Sequence, residues 1–299
     1  MAEPQRQACP VCGSQSSRSL PSDAIHCCGE CSHWFSTFEP RINELGRGSM
    51  GIDIELKNAL RGARATTDAE ALDLVAKKRR LPGLRHLDVG CSTGQFLQAS
   101  EQRGSIADGI EPERAFVEIA QRAGHRVTAG YFPQSVGSTG PFDLISFMDV
   151  LGHIPELRET GEAARRLLTE DGYLLIKTPT ADGALFRLGH WSRRLGVQSL
   201  WQRLWQLSFA SPQIHYFTSA SMHRFASEIG GTVVASRRFP ALERSGLWGR
   251  LLPGRAMPYW KALPVYLVLC ILLPLITALP QDSLLVLIQA SGSPRNTET

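Results

Sequence analysis

The chain of 299 residues lacks a strong charge of either sign: 32 Lys and Arg against 28 Asp and Glu leave a formal +4. So mild a balance gives no case for a protein held to nucleic acid by bulk charge, and it directs attention to local patterns. The chain also lacks an apolar opening. Its first segment, MAEPQRQACP, has no hydrophobic stretch of the secretory kind, so the protein is expected to start in the cytosol. Acids are absent from residues 184 to 210. At this length one main core is expected, since single cores stop growing near roughly 250 to 300 residues.

Cysteine is neither scarce nor evenly spread: of seven, five fall in the first 31 residues. Cys9 and Cys12, then Cys28 and Cys31, form two C-x2-C turns separated by fifteen residues. In a chain expected to be cytosolic this spacing points to a tetrahedral Zn²⁺ site of four thiolates and not to disulfides. Such an ion closes a fold too small to hold itself by burial, so residues 1–40 read as a zinc ribbon. Cys27 competes with Cys28 as a ligand, and His26 and His33 are spare imidazoles. The bland alternative is an unmetallated tail. A closed four-cysteine site has no open coordination position, so the zinc is read as structural.

A linker, residues 41–65, precedes TTDAEALDLVAKKRRL, in which Thr67 and Glu70 have capping-box spacing and Ala71, Leu72, Leu74 and Val75 make an apolar face. Next comes HLDVGCSTGQFL, residues 86–97. A short apolar strand ends in Asp88 and runs into a loop of small residues, Gly90 to Gly94. Dinucleotide loops need three spaced glycines that let backbone N–H groups hold a diphosphate. Here the middle position is Ser92, and Asp88 would repel phosphate. The second strand ends in Glu111, about twenty residues past the loop, where an acid can accept hydrogen bonds from both ribose hydroxyls. A positively charged nucleoside without phosphates, S-adenosylmethionine, fits both acids.

At this point the chain resembles the class I S-adenosylmethionine-dependent methyltransferases, in particular bacterial small-molecule enzymes with an N-terminal zinc ribbon. The resemblance rests on HLDVGCSTGQFL, GIEPERAFVEIA, the segment from PFDLISFMDVLGHIPEL to LLIKTPT, and HYFTSASMHRFASEIGGTVV. It implies an α/β, Rossmann-like sheet of seven strands, mostly parallel with one antiparallel member, across residues 66–299. It further implies that Asp88, Gly90 and Gly94 border the methionine part of the cofactor, with Cys91 and Ser92 completing the loop. Glu111 would bind the ribose, Asp149 would lie near the methionine part, and His153 would stand near the transferred methyl. Two departures stand out: Ser92 replaces the middle glycine, and Gly152 precedes His153 where a glutamate is usual. No acid follows the third strand to meet adenine, so Tyr131 or Phe132 is expected to pack there instead.

His153 is the candidate general base for a hydroxyl acceptor, since imidazole titrates near pH 6.5; the alternative is a wall residue. His215 is a second candidate, His86 reads as structural, and Cys91 as a small filler of the loop. The insert 184–210 interleaves Arg187, Arg193, Arg194 and Arg203 with leucines and tryptophans at helical spacing. That pattern suits either an anionic lipid surface or a lid over the acceptor pocket.

Within the apolar segment 247–280, residues 263–279 form an uncharged run broken by Pro264 and Pro274, short of the roughly 20 residues that span a bilayer. Because DSLLVLIQA reads as the last strand of the same sheet, the run must return, as a kinked hairpin in one leaflet or a helix pair packed on the domain. Arg250, Arg255 and Lys261 suit headgroups, and Trp248, Tyr259 and Trp260 suit the interface. The expectation is therefore peripheral or monotopic contact at the inner face of the membrane. The predicted reaction is O-methylation of a small molecule, lipid or lipid-linked sugar. An RNA methyltransferase is the first alternative, opposed by the want of a dense basic and aromatic patch, and a catalytically inactive scaffold is the second. Acceptor identity and oligomeric state have no signature in these residues.

Overall fold

The computed structural model describes residues 7–20, 24–40, 61–137, 140–207, 209, 211–240, 247 and 259–290. Of the expectations above, the linker over 41–60, Trp248, Arg250 and Arg255, and the side chains of Tyr259 and Lys261 lie outside the described residues.

Segments that are apolar on both faces form the central strands, because only a strand covered on both sides tolerates that pattern. FDLISFM is β7 (Phe142–Met148), flanked by β4 (Arg85–Val89) and β8 (Leu168–Pro179). With β5 (Ile106–Glu111), β6 (Arg126–Ala129), β10 (Gly231–Phe239) and β11 (Ser283–Ala290) they make a seven-stranded sheet of order β10-β11-β8-β7-β4-β5-β6. All neighbours pair in parallel except β11, which is antiparallel to both β8 and β10. The strand predicted from DSLLVLIQA is thus the antiparallel member.

Period-two alternation sorts side chains onto two cores. Leu144, Leu175, Leu285 and Leu287 meet Ala71, Leu72 and Val75 of helix α1 (Arg61–Ala76) and Phe96 of α2 (Gln95–Glu101). Ile145, Leu174, Ile176 and Val286 face the other way, against Ala163 and Ala164 of α4 (Leu157–Leu167) and Phe225 of α7 (Ser219–Glu228). Helix α3 (Arg114–Arg122) covers β5 and β6 through Val117 and Ala120. Helix α1 begins at Arg61, inside the expected linker, so Thr67 and Glu70 sit within it and form no capping box. Glu70 instead pairs with Arg237 at 3.0 Å.

The chain passes from β4 to β5 on one side, and later returns to place β7 on the other side of β4. The carboxyl ends of β4 and β7 therefore flank a topological switch point, where open α/β sheets bind ligands.

The ribbon is a second, smaller sheet: β1 (Ser17–Ser19), β2 (Ile25–Cys28) and β3 (Trp34–Ser36). It is not self-contained. Its fourth strand is β9 (His215–Tyr216) from the larger domain, paired through Trp34 with Tyr216 and Phe35 with His215. Helices α5 (Ala184–Arg194) and α6 (Ser199–Leu204) form the insert, and Phe186, Trp201 and Trp205 pack with Ile25 and Tyr216 beside the ribbon.

The apolar run is one continuous helix, α8 (Tyr259–Ala278), which passes through Pro264 and Pro274. This corrects the expectation that prolines interrupt it; an isolated proline removes one intrahelical hydrogen bond and kinks the helix without ending it. The expected return is present, because Phe239 and Ser283 on either side of the excursion are register partners. Among the described residues no helix is long and apolar enough to cross a membrane.

Candidate active site

A cleft of about 1720 Å³ opens at the switch point, bounded by Gly90 and Ser92 of the loop, by Glu111, Tyr131 and Phe132, and by Asp149 and His153. That is larger than the roughly 300 to 1,000 Å³ of a usual small-molecule pocket, so a nucleoside and an acceptor can occupy it together.

The loop turns because three of its residues take the left-handed conformation: Gly90 at φ 72°, Ser92 at 51° and Gly94 at 85°. Ser92 thus adopts the geometry that its replacement of glycine demands. A Cβ on Gly90 would lie 2.5 Å from Val150, so only glycine lets the backbone floor the cleft there. The Ser92 N–H donates to Glu111 Oε2 and the Glu113 N–H to Oε1, each at 2.9 Å. The acid of the second strand is thereby fixed at the cleft edge, ready to accept from a diol as well, since a carboxylate offers about four acceptor sites.

Asp88, Cys91 and Gly94 do not form the cleft wall as expected; they stand behind it. Asp88 is buried, and the Ser146 hydroxyl donates to its Oδ1 at 2.5 Å. Ser146 in turn accepts from His86 Nε2 at 2.8 Å, and His86 Nδ1 accepts from Ser100 at 2.9 Å. His86 is structural, as read from its place in the strand. Burial pushes Asp88 up to about 8, against the Ser146 hydrogen bond. Cys91 fills the space against Gly109, where an added Cβ would come within 2.6 Å of its Sγ. Gly94 starts α2, and a side chain there would strike the His125 ring at 2.5 Å.

Two charged residues that the motifs did not single out complete the site. Asp68 of α1 is buried and accepts from Gln95 Nε2 at 2.9 Å, and burial raises it to about 6. Lys177, at the end of β8, pairs with Asp149 Oδ2 at 2.5 Å. Asp149 itself sits at φ 60°, a conformation aspartate tolerates better than most residues. A signal for Asp68 existed: it shares a helical face with Leu72 and Val75, an acid at an apolar position. Four acids thus stand around the loop; Lys177 offsets Asp149 and burial keeps Asp88 protonated at pH 7 in the ligand-free protein, so Asp68 and Glu111 supply the negative charge that suits a cationic ligand.

Tyr131 presents an exposed ring to the cleft, whereas Phe132 is buried edge-on against Phe147, with centroids 5.6 Å apart. His153 Nδ1 donates to the Pro212 carbonyl at 2.8 Å, which leaves Nε2 as the acceptor nitrogen. Burial holds it below its ordinary value, so the ring is neutral at pH 7. His215 is no second base: Nε2 donates to the Ile154 carbonyl at 3.0 Å and Nδ1 accepts from His33 at 3.2 Å. The glycine before His153 has a local cause. A Cβ on Gly152 would lie 2.1 Å from the Gln213 amide, which fills that space and donates to the His215 carbonyl at 2.8 Å.

Comparison with known proteins now decides the family. Residues 60–236 match the family described as Methyltransferase domain. The chain belongs to it. The methyltransferase is similar to the ubiquinone biosynthesis O-methyltransferase of Xanthomonas oryzae pv. oryzae, 32% identical over 124 residues, or 39% of this chain and 52% of the relative. The protein of the same name from Xylella fastidiosa is 29% identical, over 39% of this chain and 50% of its own length. The methyltransferase thus spans about half the length of these curated relatives.

Among solved structures it resembles a SAM-dependent methyltransferase from Archaeoglobus fulgidus, with TM-score 0.53 and 13% identity over 79% of this chain and 99% of that one. A mycolic acid cyclopropane synthase complexed with SAH and CTAB gives TM-score 0.51 and 20% identity, over 70% and 78%. These likenesses establish the fold. With the family match they give the chain a methyltransferase domain with the fold of class I, S-adenosylmethionine-dependent enzymes.

At the ribbon, the Sγ atoms of Cys9, Cys12, Cys28 and Cys31 lie within 4.8 Å of one another. Cys9 to Cys31 and Cys12 to Cys28 are each 3.6 Å, close to the ~3.8 Å edge of a tetrahedron with Zn–S bonds of ~2.3 Å. Cys27 is outside the cluster; its Sγ turns to the Cys28 carbonyl, and burial raises it to about 11. The four thiols fit a structural zinc. The ribbon does more than expected of a separate domain, because Phe35, Phe38 and Glu39 line the active-site cleft.

Proposed function

We propose that this methyltransferase O-methylates a small-molecule or lipid-linked acceptor, with His153 as general base and the cofactor held by Gly90, Ser92, Glu111, Tyr131 and Asp149. The observation that carries this reading is the His153 ring, whose Nδ1 proton is tied to Pro212 and whose Nε2 belongs to a residue of the cleft wall.

S-adenosylmethionine, when bound, supplies an electrophilic methyl group. The chain's residues do the rest. Glu111 fixes the ribose end and the loop backbone packs beneath the nucleoside. The buried Asp68 favours the cationic end electrostatically, and Asp88 adds to this as it gives up its proton on binding. His153 Nε2 accepts the acceptor hydroxyl's proton as the oxygen becomes nucleophilic, and Asp149, whose charge favours protonated His153, stabilises the imidazolium. Alignment and exclusion of water account for most of the remaining acceleration. The relatives named as O-methyltransferases support an oxygen acceptor, and no observation favours RNA. Zinc held by Cys9, Cys12, Cys28 and Cys31 would keep the ribbon wall of the cleft in place.

Calorimetry with S-adenosylmethionine tests the cofactor half. A micromolar-range dissociation constant that Gly90→Arg or Glu111→Ala abolishes is expected, whereas undiminished affinity in both folded variants would refute the site.

A further inference from the structure

The excursion between Phe239 and Ser283 leaves and rejoins the sheet at one place, because those two residues are paired. Its returning arm is α8; among the described residues of that helix Ala262 is fully buried, and Tyr266, Leu269, Cys270 and Leu273 on the same side are half-buried. Beyond Ala262, Leu263, Leu267, Val268, Ile271 and Leu275 cover an arc of about 140° at 3.6 residues per turn, all at least half exposed, with Ile271 at 75% and Leu275 at 68%. A helix of twenty residues that presents leucine and isoleucine to solvent along its length is outside what a soluble surface normally leaves uncovered.

A second surface of the same character adjoins it. The start of α5 is bonded to the end of the excursion: Ala184 N–H donates to the Pro280 carbonyl at 2.9 Å and Leu185 N–H to Asp282 Oδ1 at 2.7 Å. From there α5 buries Phe186 and Gly189 and turns Leu188 and Trp191 outward, 49% and 58% exposed, with Arg187 and Arg194 exposed on the same side and Leu195, just past its end, 61% exposed. No acid offsets these arginines anywhere in residues 184–210. A second copy of the chain would cover apolar side chains but leaves the unopposed cations without a purpose; an anionic lipid surface answers both. Leu185, Leu200, Arg203, Leu204 and Asp282 also line the cleft, so its rim lies where the two surfaces meet.

We propose that α8 and the outer face of α5 seat the enzyme on an anionic bilayer, with the cleft rim at the lipid interface, and that the acceptor is an amphiphile drawn from that lipid. The docking half stands alone, while the acceptor half rests on the methyl-transfer reading above. The helix enters one leaflet and does not cross, because both ends of the excursion are anchored in one sheet.

The test uses the full chain in vesicle flotation, with phosphatidylcholine alone or with a quarter of phosphatidylglycerol. The protein is expected to rise with the anionic vesicles, Arg187→Ala combined with Arg194→Ala to weaken binding about 25-fold, at about fivefold per charge near such a surface, and Ile271→Glu with Leu275→Glu to abolish it. Both double variants keep the wild-type affinity for S-adenosylmethionine, which shows that they fold. Wild-type protein that stays with the buffer, or a glutamate variant that floats as well as wild type, overturns the docking. So does a vesicle-independent dimer that the same glutamates disperse, which would make this face a protein interface.

For the acceptor, methyl-labelled S-adenosylmethionine is incubated with enzyme and either the lipid extract or the aqueous extract of producing cells. Label entering the organic phase supports the proposal, and label confined to the aqueous extract overturns its acceptor half. Label in neither extract sinks the methyl-transfer reading and the acceptor half together, and leaves docking to be judged by flotation.

Discussion

Glu111 offers the sharpest test of the cofactor site. Its carboxylate satisfies the Ser92 and Glu113 N–H groups at 2.9 Å each, and in the function proposed above it also accepts the two ribose hydroxyls. Glu111→Ala removes both. Two hydrogen bonds to a charged acceptor contribute roughly 1.5 to 3 kcal/mol each, so the dissociation constant should rise by on the order of 10² to 10⁴. The two backbone donors left near the protein interior cost a further ~1 to 3 kcal/mol each in stability, which a thermal melt would register. Glu111→Gln separates the effects. Its amide oxygen can keep one backbone bond while its NH₂ faces the other donor, so affinity should fall by roughly the loss of one bond, about 10- to 100-fold. The assay is titration calorimetry on variants shown by circular dichroism to be folded. A folded Glu111→Ala protein with unchanged affinity would refute the ribose assignment and, with it, the reason for reading a nucleoside in this cleft.

Other consequences are as direct. With Asp88 raised to about 8 by burial, a cation bound nearby should draw it into its charged form, so cofactor binding at pH 7 should release a proton, and release should fade as the pH passes above about 8. Calorimetry in buffers of different ionisation enthalpy reads this, and zero release at pH 7 would contradict it. In the ligand-free protein the folded-state value lies above the unfolded one of roughly 3.9, so this group's contribution to stability is complete below pH ~4 and is lost as pH rises through about 8. Asp88→Asn should therefore melt progressively higher than wild type across that range. His153→Gln should lower the turnover of a hydroxyl acceptor by about 10² to 10⁴ with little change in cofactor affinity, and should remove the acid limb of the pH profile; a surviving limb would assign the base elsewhere. Purified protein should carry one zinc per chain, lost in Cys28→Ser and kept in Cys27→Ser, and metal loss should change the fluorescence of Trp34, since β3 packs on the cleft wall.

Much of this architecture is legible along the chain because it is local. The acid-ended strands at Asp88 and Glu111, the glycine loop between them and the two C-x2-C turns announce themselves within a few residues, since strand period and turn geometry depend on neighbours. Ser92 in a glycine's conformation follows in the same way. The expected cap at Thr67 fails because a capping box is also a pattern that occurs by chance inside a helix, and nothing near Thr67 shows that α1 starts earlier at Arg61.

What the amino-acid sequence alone determined is the order of elements, the side of the sheet each apolar residue takes and the chemistry available at the strand ends. Tertiary structure decided where those groups point. Asp88 turns inward to Ser146, Asp68 and Lys177 join the site from elements far apart in the chain, and His215 is claimed by His33 and Ile154 while His153 keeps Nε2 as an acceptor. The ribbon also became a wall of the cleft, through a two-residue strand too short to be seen beforehand. The division has one physical cause: backbone conformation responds to adjacent residues, whereas the burial and partners of a polar side chain are set by whatever the fold brings against it.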